Sequence, residues 1–131
     1  MNAVHAAGKR KRAIARATVY EGSGRVIINK RHLDFLEPKM YRLRMTEPLI
    51  LAGDIAKGLD VWVRVFGGGP SSQADAVRLA IGRALVKHQP TLKQTFLDYD
   101  RQILVADIRR KEAAKPNSHG QARAKRQKSY R

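Results

Sequence analysis

The chain has 131 residues, with 27 Lys or Arg against 11 Asp or Glu, and a formal net charge of +16. That length suits one domain with one core, and the lack of cysteine excludes disulfides and thiolate metal sites. No apolar run approaches the ~18 residues of a membrane-spanning helix. The first residues lack an apolar signal core, so we expect an intracellular protein. The basic excess favours RNA or DNA as partner over a small acidic substrate.

The positive charge is concentrated at the two ends. Residues 1–16 hold five basic and no acidic side chains, residues 17–108 hold 13 basic and 10 acidic ones, and residues 109–131 hold nine basic and one acidic. We therefore predict a basic N-terminal arm over residues 1–12, a globular domain over 13–108, and an extended basic tail from 109 onwards. The tail has too few apolar side chains for a core of its own, so we expect it to order only against a polyanion.

The first half of the globular domain begins with an alternating pattern. Residues 13–21 predict a strand, with Ala13, Ala15, Ala17 and Val19 on one face. A turn at residues 21–24 and a returning strand over 25–28 would complete a hairpin. Residues 29–45 mix short helical pieces with breaks. Thr46, followed by Pro48, then resembles a capped helix start, and the helix should end near Gly53.

The second half is dominated by a strand and a long helix. Residues 59–66 alternate as a strand, and the glycine loop at 67–69 precedes the helix, which Pro90 ends. Arg78 should lie off the buried stripe of that helix, which we expect to consist of Ala74, Val77, Ile81, Ala84, Leu85 and His88. A short helix over 91–97 and a short strand over 103–105 would follow. These elements predict an α+β fold, a sheet with helices over one face.

The glycine loop has three interpretations. Gly67, Gly68 and Gly69 leave backbone N–H groups uncovered before a helix N-terminus, an arrangement that suits an RNA phosphate. The Walker spacing is missing, although residues 69–72 faintly resemble the phosphate loop of small-molecule kinases. The loop could also be a purely structural turn, needed where the helix packs close to the sheet.

Other constellations give little support for catalysis. The four histidines His5, His32, His88 and His119 lack metal-ligand spacing, so we expect no metal site and no cofactor. Asp98 and Asp100 fit a solvated turn or a local ion pair better than a catalytic pair. The adjacent serines Ser71 and Ser72 have no base at a motif position, so nucleophilic catalysis is not indicated.

Several segments, in order and over nearly the whole chain, resemble the small-subunit ribosomal protein S nine family. These are Gly8-Lys9-Arg10-Lys11, Gly22-Ser23-Gly24, Ile27-Ile28-Asn29, Gly67-Gly68-Gly69, Gln73-Ala74-Asp75-Ala76-Val77-Arg78, Asp107-Ile108-Arg109-Arg110-Lys111-Glu112 and Gln127-Lys128-Ser129-Tyr130-Arg131. The Leu104-Val105-Ala106-Asp107 run and the Tyr130-Arg131 ending favour its archaeal and eukaryotic branch, where the eukaryotic name is S sixteen. The resemblance implies the fold of the second domain of ribosomal protein S five, with a left-handed βαβ crossover.

The resemblance also implies a function. The chain would be a non-enzymatic constituent of the small ribosomal subunit in the cytoplasm, with ribosomal RNA, peptidyl-site tRNA and neighbouring ribosomal proteins as partners, and without a membrane. The expected ribosomal-RNA contacts are Lys9, Arg10, Lys11, Arg12, Gly67, Gly68, Gly69, Arg109, Arg110, Lys111, Arg123, Lys125 and Arg126. The expected tRNA contacts are Lys128, Ser129, Tyr130 and Arg131. A freestanding nucleic-acid packaging or regulatory module and a small-molecule kinase remain alternatives.

Overall fold

A computed structural model describes residues 3–35, 39–106 and 109 of the chain. Its sheet is built from five strands, β1 Val4–Arg10, β2 Ala13–Glu21, β3 Val26–Ile28, β4 Arg31–His32 and β5 Leu59–Phe66. The α-helices are α1 Lys39–Ala52, α2 Asp54–Lys57, α3 Pro70–His88 and α4 Leu92–Tyr99, with 3₁₀ turns at Leu33–Phe35 and Arg101–Ile103. The predicted α+β class is confirmed, and the predicted bounds of β2 and β5 agree with the structure.

The strand order is β1-β2-β5-β3-β4. Strand β1 forms a hairpin with β2, and β5 runs antiparallel to β2 but parallel to β3. The predicted hairpin between residues 13–21 and 25–28 is therefore wrong, because β5 lies between those two strands. The sheet also begins inside residues 1–12, the segment expected to be an arm, since β1 pairs with β2 from Val4 to Arg10.

The loop between β2 and β3 explains why those strands are separated. The buried carboxylate of Asp60, on β5, accepts hydrogen bonds from the backbone N–H groups of Ser23 at 3.0 Å and Arg25 at 3.1 Å. The backbone N–H of Gly22 donates to the carbonyl of Gly58 at 3.0 Å. The chain thus passes over the start of β5 and continues on its far side.

The core lies between one face of the sheet and the helices. The alanines and valine of β2 predicted to share a face are all buried, and they meet the buried residues of α3. Strand β1 passes very close to α3, because a Cβ placed on Gly8 would lie 2.4 Å from the carbonyl oxygen of Ala76. Small residues therefore set how closely helix and sheet approach. The helices lie over one face of the sheet, as predicted.

Two further element predictions need correction. Helix α1 begins at Lys39 and contains Pro48, whereas the sequence predicted a start at Thr46. Thr46 does not cap the helix, because its hydroxyl donates to the carbonyl of Arg42 at 2.7 Å, one turn earlier. The predicted strand over 103–105 is a 3₁₀ turn and its exit, and Ile103 is buried against Gly82 of α3.

The opposite face of the sheet carries the alternate side chains of its two central strands. We call this the open face, and it consists of Ile14, Arg16, Thr18 and Tyr20 of β2 and Trp62, Arg64 and Phe66 of β5. All seven are partly or largely exposed. Across the two strands, Ile14 lies opposite Phe66, Arg16 opposite Arg64 and Thr18 opposite Trp62.

In the part of the chain that the structure describes, no helix is long and apolar enough to cross a membrane.

Candidate nucleic-acid interface

Acidic side chains on the helix-covered side hold arginines inside the molecule. Arg78 of α3 is buried, with its Nη2 2.6 Å from Oε2 of Glu47 and 2.9 Å from Oδ2 of Asp100. The prediction that Arg78 lies off the buried stripe is therefore wrong. Burial raises the pKa of Asp100, but the backbone N–H of Gln102 and the Arg78 guanidinium outweigh it and leave that pKa below its ordinary value. Asp100 is thus in an ion pair, although with a distant rather than a local partner.

A second carboxylate binds two more arginines. Asp75 of α3 lies 3.7 Å from Nε of Arg10 and 3.2 Å from Nη1 of Arg44. Arg44 also donates to the hydroxyl of Ser71 at 3.2 Å. Arg10, expected to contact RNA, therefore points to the helix side of the sheet, whereas the neighbouring Lys9 is exposed.

The structure brings together two segments that the sequence singled out separately. Lys11 and Arg12 form the exposed turn between β1 and β2, and the glycine loop lies directly against it. A Cβ on Gly67 would be 2.5 Å from the carbonyl oxygen of Arg12. We call this region, made of Lys11, Arg12 and residues 67–69, the basic end.

Backbone geometry separates the roles of the three glycines. Gly67 and Gly68 have φ of 80° and 65°, in the left-handed region that favours glycine, and both pack against the β1–β2 turn or the residue after it. The structural interpretation therefore accounts for these two residues. Gly69 has an ordinary φ of −100°, and no atom lies within 4 Å of a Cβ placed on it. Space and backbone are thus both open beside Gly69.

The N-terminus of α3 contributes electrostatically to the basic end. Pro70 occupies the first turn, and no side chain accepts a hydrogen bond at the Gly69 cap position. Gln73 donates to the carbonyl of Gly67 at 3.1 Å, which fixes the loop against the helix. A helix N-terminus attracts anions through its free N–H groups and its dipole. The region can therefore hold phosphate without any catalytic group.

The start of the tail lies beside the end of β1. A cavity of about 240 Å³ is lined by Lys9, Arg10, Asp75 and Arg109 among others. Arg109 is exposed, so the structure places one predicted tail residue next to the predicted N-terminal contacts. The remaining predicted contacts, Arg110, Lys111, Arg123, Lys125, Arg126, Lys128, Ser129, Tyr130 and Arg131, and the 109–131 tail prediction beyond Arg109, lie outside the described residues.

The structure gives the described histidines ordinary structural positions. The ring of His5 hydrogen-bonds to the hydroxyl of Thr18 at 3.1 Å, His32 lies 3.4 Å from Asp34, and His88 ends α3. Among residues 3–35, 39–106 and 109, no group of three or more His, Cys, Asp or Glu could hold a metal ion.

Sequence reasoning missed the open face as a charged surface. Arg16 and Arg64 were seen only as polar positions in alternating strands, and their pairing depends on the register between β2 and β5. Their spacing in the sequence gives no local signal of that pairing. Once β2 and β5 are known to be neighbours, the alternation places both arginines on the same face.

Comparison with known proteins identifies the family. The sequence model described as Ribosomal protein S9/S16 matches residues 8–131 of this chain. The chain belongs to that family. It is 51% identical over 134 residues to the small ribosomal subunit protein uS9 of Methanococcus vannielii, with all of both sequences covered. Proteins of the same name from Methanococcus maripaludis strains C7 and DSM 14266 show the same identity and coverage. The resemblance seen in the sequence is therefore confirmed.

Proposed function

We propose that this member of the ribosomal protein S9/S16 family is a structural protein of the small ribosomal subunit that binds ribosomal RNA. The observation that carries the proposal is the basic end, where the Lys11–Arg12 turn lies against the glycine loop and the start of α3. Two cationic side chains, the open backbone at Gly69 and the uncapped N-terminus of α3 meet there. Such a combination recognises a phosphate backbone by charge and hydrogen bonding rather than by base sequence.

The paired acids support this interpretation. Asp75, Glu47 and Asp100 are occupied by arginines of the folded body, so these acids do not neutralise the cations of the basic end. Lys11 and Arg12 are exposed, and an arginine fork can contact one phosphate through two N–H groups. Lys9 and Arg109 extend the same charge along β1 towards the tail.

The finer proposal concerns the tail. Residues 109–131 carry nine basic side chains and one acidic side chain. We propose that Arg109, Arg110, Lys111, Arg123, Lys125 and Arg126 neutralise ribosomal-RNA phosphates. We also propose that Lys128, Ser129, Tyr130 and Arg131 reach the anticodon stem-loop of peptidyl-site tRNA. The family resemblance supports this placement, and the guanidinium of Arg131 supplies the phosphate-binding chemistry.

The topology supports a finer assignment of the fold. Strands β3 and β5 are parallel neighbours, and α1 and α2 lie in the connection between them. That is a βαβ crossover, the unit in which the S five second-domain fold carries its left-handed turn. We propose that fold for this chain.

Sedimentation tests the ribosomal role against a freestanding nucleic-acid module. The tagged full chain in cell lysate should sediment almost wholly with small subunits, and RNase treatment should release it. A protein that sediments with bulk nucleic acid or remains free contradicts the ribosomal assignment. Saturable binding of ATP that Gly69→Ala abolishes would instead support the kinase-like alternative.

Salt-dependent binding to small-subunit ribosomal RNA tests the contacts themselves. Each lost phosphate contact should lower the slope of log affinity against log salt by ~0.7 to ~0.9. Deleting residues 110–131 should flatten the slope strongly. The Lys11→Gln, Arg12→Gln double variant should lower the slope by the amount expected for two lost phosphate contacts. Lys57→Gln, in the distant and exposed α2, is the matched control and should leave the slope unchanged. Unchanged slopes for both basic-end and tail variants would overturn the proposal.

The tRNA contact needs its own test. Arg131→Ala should leave subunit assembly intact and weaken peptidyl-site tRNA by ~1 to ~3 kcal/mol, the range for a charged hydrogen bond. Arg131→Lys should keep part of the affinity, because the charge remains without the fork. The measurement is the tRNA dissociation rate from reconstituted subunits. An unchanged rate for Arg131→Ala would limit the tail to ribosomal RNA.

A further inference from the structure

The open face combines exposed aromatic rings with arginines. Trp62 and Phe66 are 40% and 52% exposed, on the same face of β5, with Arg64 between them. Aromatic side chains of this size are normally buried, because each one removes a large apolar area from water. Two such rings on one strand, with cations beside them, form a surface that no other part of the described chain covers.

The two arginines of the open face are opposed across the strands. Arg16 and Arg64 are direct cross-strand partners, and like charges in that position destabilise a strand pair. Among the residues that the structure describes, none forms a hydrogen bond or ion pair with either guanidinium. The two like charges are therefore opposed without a counter-charge from any described residue, an exception to the usual pairing rule that is typical of a binding surface.

The two acids of β2 and β5, Glu21 and Asp60, do not supply that counter-charge. Glu21 pairs with the buried Leu59, on the opposite face of the sheet from Arg16. Asp60 follows the same alternation along β5 as Trp62 and Arg64, but it is buried and accepts hydrogen bonds from the backbone N–H groups of Ser23 and Arg25. Its other oxygen lies 3.6 Å from the Arg25 guanidinium. The counter-charge that would stabilise Arg16 and Arg64 must therefore come from outside these strands.

The face borders a wide groove. Its volume is about 1060 Å³, and Arg16, Thr18, Trp62 and Arg64 line it together with Lys30 and Lys87. This volume lies at the upper end of the range of small-molecule pockets. Of the twelve residues that line the groove, four are cations and none is acidic, although the Lys87 ammonium also donates to the carbonyl of His5 at 2.8 Å. Charge complementarity therefore points to a polyanion rather than to a second, equally basic copy of the chain.

We propose that the open face binds an unpaired segment of ribosomal RNA, with bases stacked on Trp62 and Phe66 and phosphates on Arg16 and Arg64. This inference rests on the proposed function for its choice of partner, but adds a second RNA surface, which begins at Phe66 beside the basic end and extends along β2 and β5. Stacking on aromatic rings requires bases with a free face, which single strands, loops and bulges provide and duplexes do not.

The spacing of the rings fits splayed bases. Trp62 and Phe66 are four positions apart along the strand, which is roughly 13 Å at about 3.3 Å per residue. Bases in a stacked helix lie much closer together, so two bases can reach both rings only in an unstacked segment. Arg64 lies midway, where the connecting backbone passes, and Arg16 lies opposite it on β2. One segment can thus engage both rings and both arginines.

The fluorescence of Trp62 gives a direct test, because it is the only tryptophan in the chain. The full-length protein is titrated with a single-stranded fragment of small-subunit ribosomal RNA and with a fully paired duplex of equal length. A parallel titration follows total binding through labelled RNA. We expect saturable quenching by the single strand and much weaker quenching by the duplex.

Substitutions assign the effect to the surface. Phe66→Leu should weaken binding of the single strand by about fivefold, the lower end of the roughly five- to 150-fold range for losing one stacked base. Arg64→Gln should lower its salt slope by about 0.7. Tyr99→Leu is the matched control, since Tyr99 is 57% exposed at the end of α4, away from the sheet, and it should bind like the unaltered protein.

The outcomes separate this inference from the proposed function. If labelled RNA binds but Trp62 fluorescence is unchanged and Phe66→Leu binds normally, the open-face proposal is wrong while RNA binding stands. That result would leave the face to a protein neighbour. If neither RNA binds at physiological salt, both proposals fail.

Discussion

The two faces of the sheet use arginine in opposite ways. On the helix-covered side, Arg78 is enclosed by Glu47 and Asp100, and Asp75 holds two further arginines. On the open face, Arg16 and Arg64 face each other, and no carboxylate among the described residues pairs with them. The first group stabilises the fold, and the second depends on a partner. Position relative to acids, rather than total charge, therefore distinguishes structural from binding arginines.

The largest expected difference between the faces appears in stability. Arg78→Met should destabilise the protein by about 2–4 kcal/mol, because it leaves two carboxylates without their buried partner; their partial exposure keeps the loss below that of a fully buried pair. Arg64→Met, the same exchange on the open face, should change stability by no more than about 0.5 kcal/mol. Urea unfolding of both variants measures the contrast. Equal losses would mean that the two arginines do not differ in role.

Backbone packing should show the next largest effect. Gly8→Ala should cost about 1–3 kcal/mol, since the added methyl group meets the backbone of α3 on the covered side. Gly69→Ala adds the same methyl group in open space at an ordinary φ, so it should be neutral or slightly stabilising. Thermal unfolding compares them. A Gly69→Ala variant as unstable as Gly8→Ala would contradict the geometry of the glycine loop.

The pH dependence of stability tests the role of Asp60, whose carboxylate holds the loop that separates β2 from β3. The pKa of Asp60 lies below its ordinary value of 3.8, chiefly because the backbone N–H of Arg25 donates to its carboxylate. Burial raises this pKa, but the backbone N–H of Ser23 and the charge of Arg25 also lower it, so the net shift is downward. The stabilisation is complete above the ordinary value and is lost as pH falls through the lower folded pKa. Asp60→Asn should therefore be less stable at pH 7, and its deficit should shrink below pH 3.8 in urea unfolding at a series of pH values. A deficit independent of pH would mean that the Asp60 charge is not stabilising.

The smallest effect has the opposite sign. Arg16→Gln removes one of two opposed like charges, so the free protein should become more stable by a few tenths of a kcal/mol at low salt. The gain should disappear at high salt, where the repulsion is screened. Arg83→Gln is the control, because Arg83 donates to the carbonyls of Ala7 and Leu104 and its replacement should destabilise. If Arg16→Gln also destabilises at low salt, Arg16 contributes to the fold.

Local patterns predicted the central elements of this fold, and long-range contacts determined the rest. Strands β2 and β5 were predictable because alanine and valine alternate with larger or more polar residues. Strand β1 was missed because His-Ala-Ala-Gly is a weak strand former, and Gly8 is required there by its contact with α3. The start of α1 was misplaced because Thr46 and Pro48 mimic a helix start. Arg78 was misjudged because its two acidic partners come from other elements.

The candidate site shows the same division. Lys11, Arg12 and the glycine loop were identified from charge and composition. Their adjacency depends on the register of β2 with β5, which brings the residues after Phe66 to the β1–β2 turn. The open face depends on that same register, so the opposition of Arg16 and Arg64 could not be predicted from either strand alone.

The most direct test of the contrast between the faces is the affinity of Arg64→Gln for single-stranded ribosomal RNA across a salt series, with its free energy of unfolding measured in parallel. The predicted result is an unfolding free energy within about 0.5 kcal/mol of the unaltered protein, together with a salt slope lower by about 0.7. An unchanged salt slope would contradict the account, because it would mean that the open-face arginine meets no phosphate.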